Sequence, residues 1–148
     1  MDATLLHREG DLRTFALVMA EGDDPCAEIL ALAEAEGITA AVLSGIGGCR
    51  SATVGYFDPE IDDYRNAHFD EHLEVLSLLG DIATQDGEPA LHAQVVLARR
   101  NYVAVGGHLR HAEVHPTLEV VLEETPAHLR KRIDPGTGLA LLALDGAE

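Results

Sequence analysis

Three side chains that could coordinate a divalent metal lie close together in the sequence, within and after one predicted strand. His92 and Gln94 are two residues apart in the alternating segment 91–97, so both project from the same face of a strand. His108 follows a Gly-Gly pair (106–107), at which we expect the chain to turn sharply and return towards His92. Two imidazoles and an amide or carboxylate oxygen can form an open divalent-metal site. In the alternative interpretation, these side chains only form hydrogen bonds in a polar pocket.

A carboxylate on a neighbouring predicted strand extends this candidate site. Glu74 lies in the apolar segment 73–79, and we expect it either to bind the metal or to orient a ligating histidine. The other histidines between residues 68 and 115 form no His-Glu-x-x-His motif, and we expect them at the surface.

Hydrophobic periodicity predicts about seven strands and two helices. Asp24 can cap the first helix, Pro25 suits its first position and Gly37 can end it. Thr125 is expected to cap a second, short helix that ends at Arg132. One long helix among many closely spaced strands indicates an α+β fold with a mainly antiparallel sheet. The segments with a strand pattern are 12–20, 38–43, 52–57, 73–79, 91–97, 102–105, 118–122 and 139–144, of which 38–43 and 52–57 are short.

A glycine-rich stretch, Ser-Gly-Ile-Gly-Gly at 44–48, separates two of these strands. No Lys-Ser or Lys-Thr follows it, and a strand rather than a helix comes next, so it matches neither common phosphate-binding motif. We expect a tight bend or a bulge. The segment 58–66 is polar and is expected to be a loop.

The composition indicates a single globular domain, residues 1–148 with a core at about 12–144. The chain of 148 residues is 47% apolar and carries 26 acidic against 10 basic residues, a net charge of −16. This charge disfavours nucleic-acid binding, because duplex affinity depends on Lys and Arg. No apolar run reaches the ~18 residues of a membrane helix, and the first residues do not resemble a signal peptide, so we expect a cytoplasmic protein. Cys26 and Cys49 match no zinc or disulfide pattern; we expect Cys26 to be buried and Cys49 to be exposed.

Several segments together resemble the PPC domain, the plants and prokaryotes conserved domain. The resemblance runs from about residue 12 to residue 144. It rests on Glu-Val-Leu-Ser-Leu-Leu-Gly at 74–80, Pro-Ala-Leu-His at 89–92 and Gly-Gly-His-Leu at 106–109, with supporting matches at 12–14, 43–47 and 116–120.

This resemblance implies a seven-stranded, mainly antiparallel α+β domain that assembles as a homotrimer. Members with an AT-hook are nuclear DNA-binding proteins of plants, but this sequence has no Arg-Gly-Arg-Pro core. Many prokaryotic members have His-x-His where this chain has His92 and Gln94, and their histidines resemble a metal cluster. Gln94 replaces one of these imidazoles, which should weaken the binding of zinc relative to the binding of metals that prefer oxygen ligands.

Three functions are therefore considered. The first is a stand-alone homotrimeric binding or regulatory module, whose His-lined pocket takes a divalent metal, zinc or another, or a small ligand. The second is a metal-dependent enzyme acting on a small polar substrate, with Glu74 as base or ligand. The third is DNA binding, which the family suggests and the net charge opposes.

Overall fold

The computed structural model describes residues 1–126 and 128–143, which form nine strands and one helix, α1 (Pro25–Glu36). All strand pairs are antiparallel, so the predicted α+β class is confirmed. The strands are β1 (Asp2–Glu9), β2 (Leu12–Ala20), β3 (Ala40–Asp58), β4 (Asp63–Phe69), β5 (Leu73–Gln85), β6 (Glu88–Ala98), β7 (Ala104–Glu124), β8 (Lys131–Ile133) and β9 (Ala140–Leu142).

Seven strands form the main sheet in the order β1-β2-β7-β6-β5-β3-β4, and β8 and β9 form a separate hairpin. Strand β7 also pairs with β3, so β3, β5, β6 and β7 make a closed ring of hydrogen-bonded strands. This closure places β7 next to β3, although β6 and β5 lie between them in the sheet order, and it makes His108 on β7 and Gly55 on β3 register partners.

Helix α1 begins and ends at the predicted residues. The Asp24 side chain accepts a hydrogen bond from the Cys26 amide at 3.3 Å, and Gly37 ends the helix with a left-handed φ of 65°. Ile29 and Ala33 are buried in the core, as the spacing predicts. The helix contacts β6 and β7, so it covers the inner face of the strands that carry His92 and His108.

Strand alternation decides which face of β6 is outward. Ala93, Val95 and Leu97 are buried, so the residues between them point away from the core. Gln94 and His92 therefore lie on the outer face of the sheet, while the core lies between the strands and α1.

The prediction of a short helix between Thr125 and Arg132 is wrong. Residue 127 lies outside the described residues, and the rest of segment 125–132 contains no helix. The Leu129 carbonyl instead accepts a hydrogen bond from the Thr84 amide at 2.8 Å, and Lys131 pairs with Leu142 of β9. Long-range pairing with β5 and β9 thus satisfies the backbone groups that a helix would have satisfied locally. The last predicted strand, 139–144, corresponds to the shorter strand β9, and residue 144 lies outside the described residues.

Other strands are longer than the sequence suggests. The predicted segment 52–57 and residues 40–43 of the predicted segment 38–43 belong to one 19-residue strand, β3. The glycine-rich stretch between them contains a bulge at Gly45–Gly47, which is one of the two expected forms. The expected loop 58–66 includes the start of β4, and β1 was not predicted because its side chains are all exposed. No helix in the described part of the chain is long and apolar enough to cross a membrane.

Candidate metal and small-ligand site

The register of two neighbouring strands, β6 and β7, brings His92, Gln94 and His108 together. Gln94 on β6 is the partner of His108 on β7, and His92 lies two residues earlier on the same face. The two imidazole rings are stacked, with centroids 5.3 Å apart and an angle of 24°. The Gln94 Nε2 and His92 Nε2 atoms are 3.2 Å apart. Rotation of the amide by about 180° would place Oε1, a potential metal ligand, at this position.

Asp81 on β5 lies beside His92, and nothing in the sequence pointed to it. It is the register partner of His92, with Oδ2 at 3.4 Å from His92 Nδ1. A carboxylate on one ring nitrogen leaves the other, Nε2, free to bind a metal. The Lys131 Nζ atom is 2.7 Å from Asp81 Oδ1, which ties this carboxylate to β8. Gly80-Asp81 resembles a turn in the sequence, so only the pairing of β5 with β6 could identify Asp81 as the carboxylate next to His92.

His108 is held in its neutral form. Its Nδ1 atom is buried and has no hydrogen-bond partner among the described residues. Burial lowers the pKa of His108 to about 4, helped by the positive charge of Arg110 and by His92 and Lys131. A neutral imidazole is the form that coordinates a metal.

The structure does not bring Glu74 to these histidines. Glu74 is on β5, as predicted, but it pairs in register with Ala98, whereas His92 pairs with Asp81. Glu74 lies seven positions before Asp81 along β5, a distance of roughly 23 Å in an extended strand. Glu74 instead lies 3.1 Å from His72 Nε2. The carboxylate beside His92 is therefore Asp81 within one chain.

The donor set fits an incomplete metal site. It consists of two imidazoles and an amide oxygen, with Asp81 beside His92, and the buried Nδ1 atom of His108 has no hydrogen-bond partner among the described residues. No cluster of three His, Cys, Asp or Glu ligands occurs within the described ranges. A metal bound here would keep open positions for water or a small ligand.

The remaining histidines of this region have other partners. His68 is 2.9 Å from Thr53 Oγ1, and His111 is 3.0 Å from Asp24 Oδ2. His72 and His115 contact each other edge to face at 5.9 Å, next to Glu74 and away from the cleft.

Neither cysteine is a candidate nucleophile. Cys49 is only 1% exposed, so its expected exposure is wrong, and burial raises the pKa of its thiol to about 11. Cys26 is half-buried rather than fully buried, and burial raises the pKa of its thiol to about 12.

An open cleft of about 420 Å³ lies against His92 and His108. Tyr64 and Arg110 line one side, with the Tyr64 ring 5.4 Å from the His108 ring. The β8–β9 hairpin lines the other side. This volume is within the range of small-molecule sites.

Comparison with known protein families identifies the family of this chain. The model of the Plants and Prokaryotes Conserved (PCC) domain matches residues 7–126, so the chain belongs to this family. A search of curated proteins gives no significant match.

Several solved structures share the fold over nearly their whole length. A metal-containing protein from Archaeoglobus fulgidus is 34% identical, with a TM-score of 0.82 and coverage of 95% of this chain and 98% of the other. A plant- and prokaryote-conserved protein from Pyrococcus horikoshii is 30% identical, with a TM-score of 0.83 and coverage of 93% and 97%. A candidate DNA-binding protein from Ralstonia eutropha is 27% identical, with a TM-score of 0.82 and coverage of 88% and 90%.

Proposed function

We propose that this protein is a binding module whose functional site is the cleft at His92 and His108, where a divalent metal and a small ligand bind. The convergence of His92, Gln94 and His108 on one outward face is the observation that carries the proposal. The description of the Archaeoglobus fulgidus relative as metal-containing supports it.

Three side chains would hold the metal: His92 through Nε2, His108 and the amide oxygen of Gln94. Bound there, a divalent ion would supply Lewis acidity and an attachment point for an oxygen ligand. Asp81 would keep His92 in the required tautomer and orientation. Because one of the three ligands is an amide, we expect weaker zinc selectivity than a three-histidine site would have.

Elemental analysis of tagless protein, purified without chelator, tests the metal site. We expect near-stoichiometric metal in the wild type and its loss in the His92→Ala/His108→Ala double variant. Asp81→Asn should weaken metal binding about 10- to 100-fold, because it removes the carboxylate that orients His92. His68→Ala is the control, because its partner is Thr53, outside the cleft. A metal-free wild type that takes up no zinc, manganese or nickel would overturn the proposal.

We also propose that the protein assembles as a homotrimer through the outer face of the sheet. A register row across this face joins Val121, Ser44, Leu79 and Gln94. Leu79 is 56% exposed and Val121 is 40% exposed in the single chain, and Val18, Ile46, Leu76 and Val96 are also exposed. Contiguous apolar surface of this kind is normally covered by another chain. The family resemblance supports three copies.

Analytical ultracentrifugation tests the assembly. We expect a mass of about 47 kDa, three times the chain mass of 15.8 kDa, with the Leu79→Glu variant shifted to the single-chain mass. Ile61→Glu, at a residue with 52% exposure in the β3–β4 turn, should leave the mass unchanged. A wild type that sediments as one chain would contradict the homotrimer.

DNA binding is suggested by the Ralstonia eutropha relative, and we expect this chain not to bind a duplex. The net charge is −16, and Arg13, Arg50, Arg65 and Arg99 are each paired with carboxylates. Few cations therefore remain to neutralise phosphates. The fluorescence anisotropy of a labelled DNA duplex at low salt should not increase when the protein is added. Binding that falls steeply as salt is added would show that this electrostatic argument is wrong.

A further inference from the structure

The cleft beside His108 lacks acidic side chains although the protein is strongly acidic. Its thirteen described lining residues include Arg110, Lys131, His92 and His108 but no Asp or Glu. The 26 acidic residues among 148 would place about two in a sample of this size. The absence of carboxylates leaves a locally positive cleft on a negative molecule, an arrangement that attracts small anions.

Arg110 supplies a cation without a carboxylate partner in the described part of the chain. Its guanidinium carbon lies 4.3 Å from the centre of the Tyr64 ring. Stacking on an aromatic ring fixes the plane of the guanidinium and leaves its N–H donors along the edge. A planar fork of this kind matches a carboxylate, which it can bind through two parallel hydrogen bonds.

The other charges of the cleft are partly compensated. Lys131 is 2.7 Å from Asp81 Oδ1, and the same carboxylate lies 3.4 Å from His92 Nδ1. Asp81 therefore offsets the charge of Lys131. Arg110 remains as the group best placed to bind an anion.

Part of the cleft wall is aliphatic and belongs to the β8–β9 hairpin. Six of the thirteen lining residues lie between 131 and 141, among them Ile133, Leu139 and Leu141. Leu91 on β6 continues this wall. The hairpin lies beyond residues 7–126, the part of the chain that matches the family model.

We propose that this cleft binds a small aliphatic carboxylate, with Arg110 binding the carboxylate group and the β8–β9 hairpin contacting the hydrocarbon part. This inference deepens the proposed function, on which it rests, by assigning the class of the small ligand. A carboxylate fits better than a phosphate, because the cleft offers one planar guanidinium and an aliphatic wall rather than a helix N-terminus.

Isothermal titration calorimetry with acetate, butyrate, hexanoate, butylamine and inorganic phosphate tests this assignment. The protein is stripped of metal and dialysed free of chelator, so that binding does not depend on the metal. We expect affinity to rise about two- to fourfold with each added methylene group. Arg110→Gln should weaken hexanoate binding about tenfold or more, and Arg100→Gln, an exposed arginine outside the cleft, should not. Leu139→Ala should reduce the preference for hexanoate over acetate.

The outcomes separate this inference from the metal site. An Arg110→Gln variant that keeps its metal content but loses hexanoate binding would support the carboxylate site. The inference is overturned if no carboxylate binds, if butylamine or phosphate binds as tightly as hexanoate, or if Arg100→Gln loses as much affinity as Arg110→Gln. Loss of the metal site alone, with carboxylate binding intact, would overturn the metal proposal and leave the carboxylate site standing.

Discussion

Gly106→Ala is expected to destabilise the protein by about 3 kcal/mol and to disrupt the His92–His108 site. A Cβ atom at residue 106 would lie 2.3 Å from the Val95 carbonyl oxygen of β6. The obstacle is backbone in a paired strand, so β7 itself must move. Because His108 is two residues further along β7, this movement should also separate its ring from His92. Urea denaturation at one fixed protein concentration measures the first effect, and metal content measures the second.

Gly107, the next residue on β7, is also too close to a neighbouring strand to carry a side chain. A Cβ atom at residue 107 would lie 2.5 Å from the Gly55 carbonyl oxygen of β3. Strand β7 is therefore enclosed between β6 and β3 at the point where the ring of strands closes. Gly136→Ala is the matched control, since its Cβ would meet only the Asp134 side chain, at 3.3 Å. Equal stability of the Gly106→Ala and Gly136→Ala variants would contradict this explanation.

Arg13→Met is expected to lower the free energy of unfolding by about 2 kcal/mol at neutral pH. The guanidinium binds Glu124 through two hydrogen bonds of 2.8 and 2.9 Å, and both side chains are only 12% exposed. The substitution leaves a largely buried carboxylate without its main partner. Hydrogen bonding to Arg13 lowers the pKa of Glu124 below its ordinary value of 4.5 in the folded state.

The pH dependence of this effect has a defined sign. A carboxyl whose folded pKa is lowered stabilises the protein above the unfolded pKa, and this contribution is lost as the pH falls through the folded pKa. The difference between wild type and Arg13→Met should therefore narrow as the pH falls below 4.5. Urea denaturation across this range measures the difference. Arg65→Met, at a side chain that is 61% exposed and paired with Asp58, should cost less than about 1 kcal/mol. If the difference in unfolding free energy between the wild type and the Arg13→Met variant stays constant across the acid range, the role assigned to Glu124 is refuted.

Local patterns predict much of the fold. Alternation predicts the core of β6, the Asp24 cap and Gly37 predict α1, and the spacing of His92 and Gln94 places them on one face. Each of these predictions depends on residues that are neighbours in the chain. The periodicity of a strand and the capping of a helix are properties of a few consecutive residues, which the sequence displays directly.

The composition of the cleft depended on partners distant in sequence. Residues 106 and 107 resemble a turn, yet they continue β7 because β6 and β3 approach from both sides. Glu74 and Asp81 are both acids on β5, and only the register with β6 places Asp81 beside His92. Segment 125–132 resembles a helix, but pairing with β5 and β9 makes part of it the wall of the cleft.

The sequence by itself therefore determined the class of fold, helix α1 and the shared face of His92 and Gln94. The tertiary structure alone decided that Asp81, Tyr64, Arg110 and Lys131 surround that face. The physical reason is that strand register is set by hydrogen bonds and packing between distant segments, and a shift of one residue turns every side chain to the opposite face.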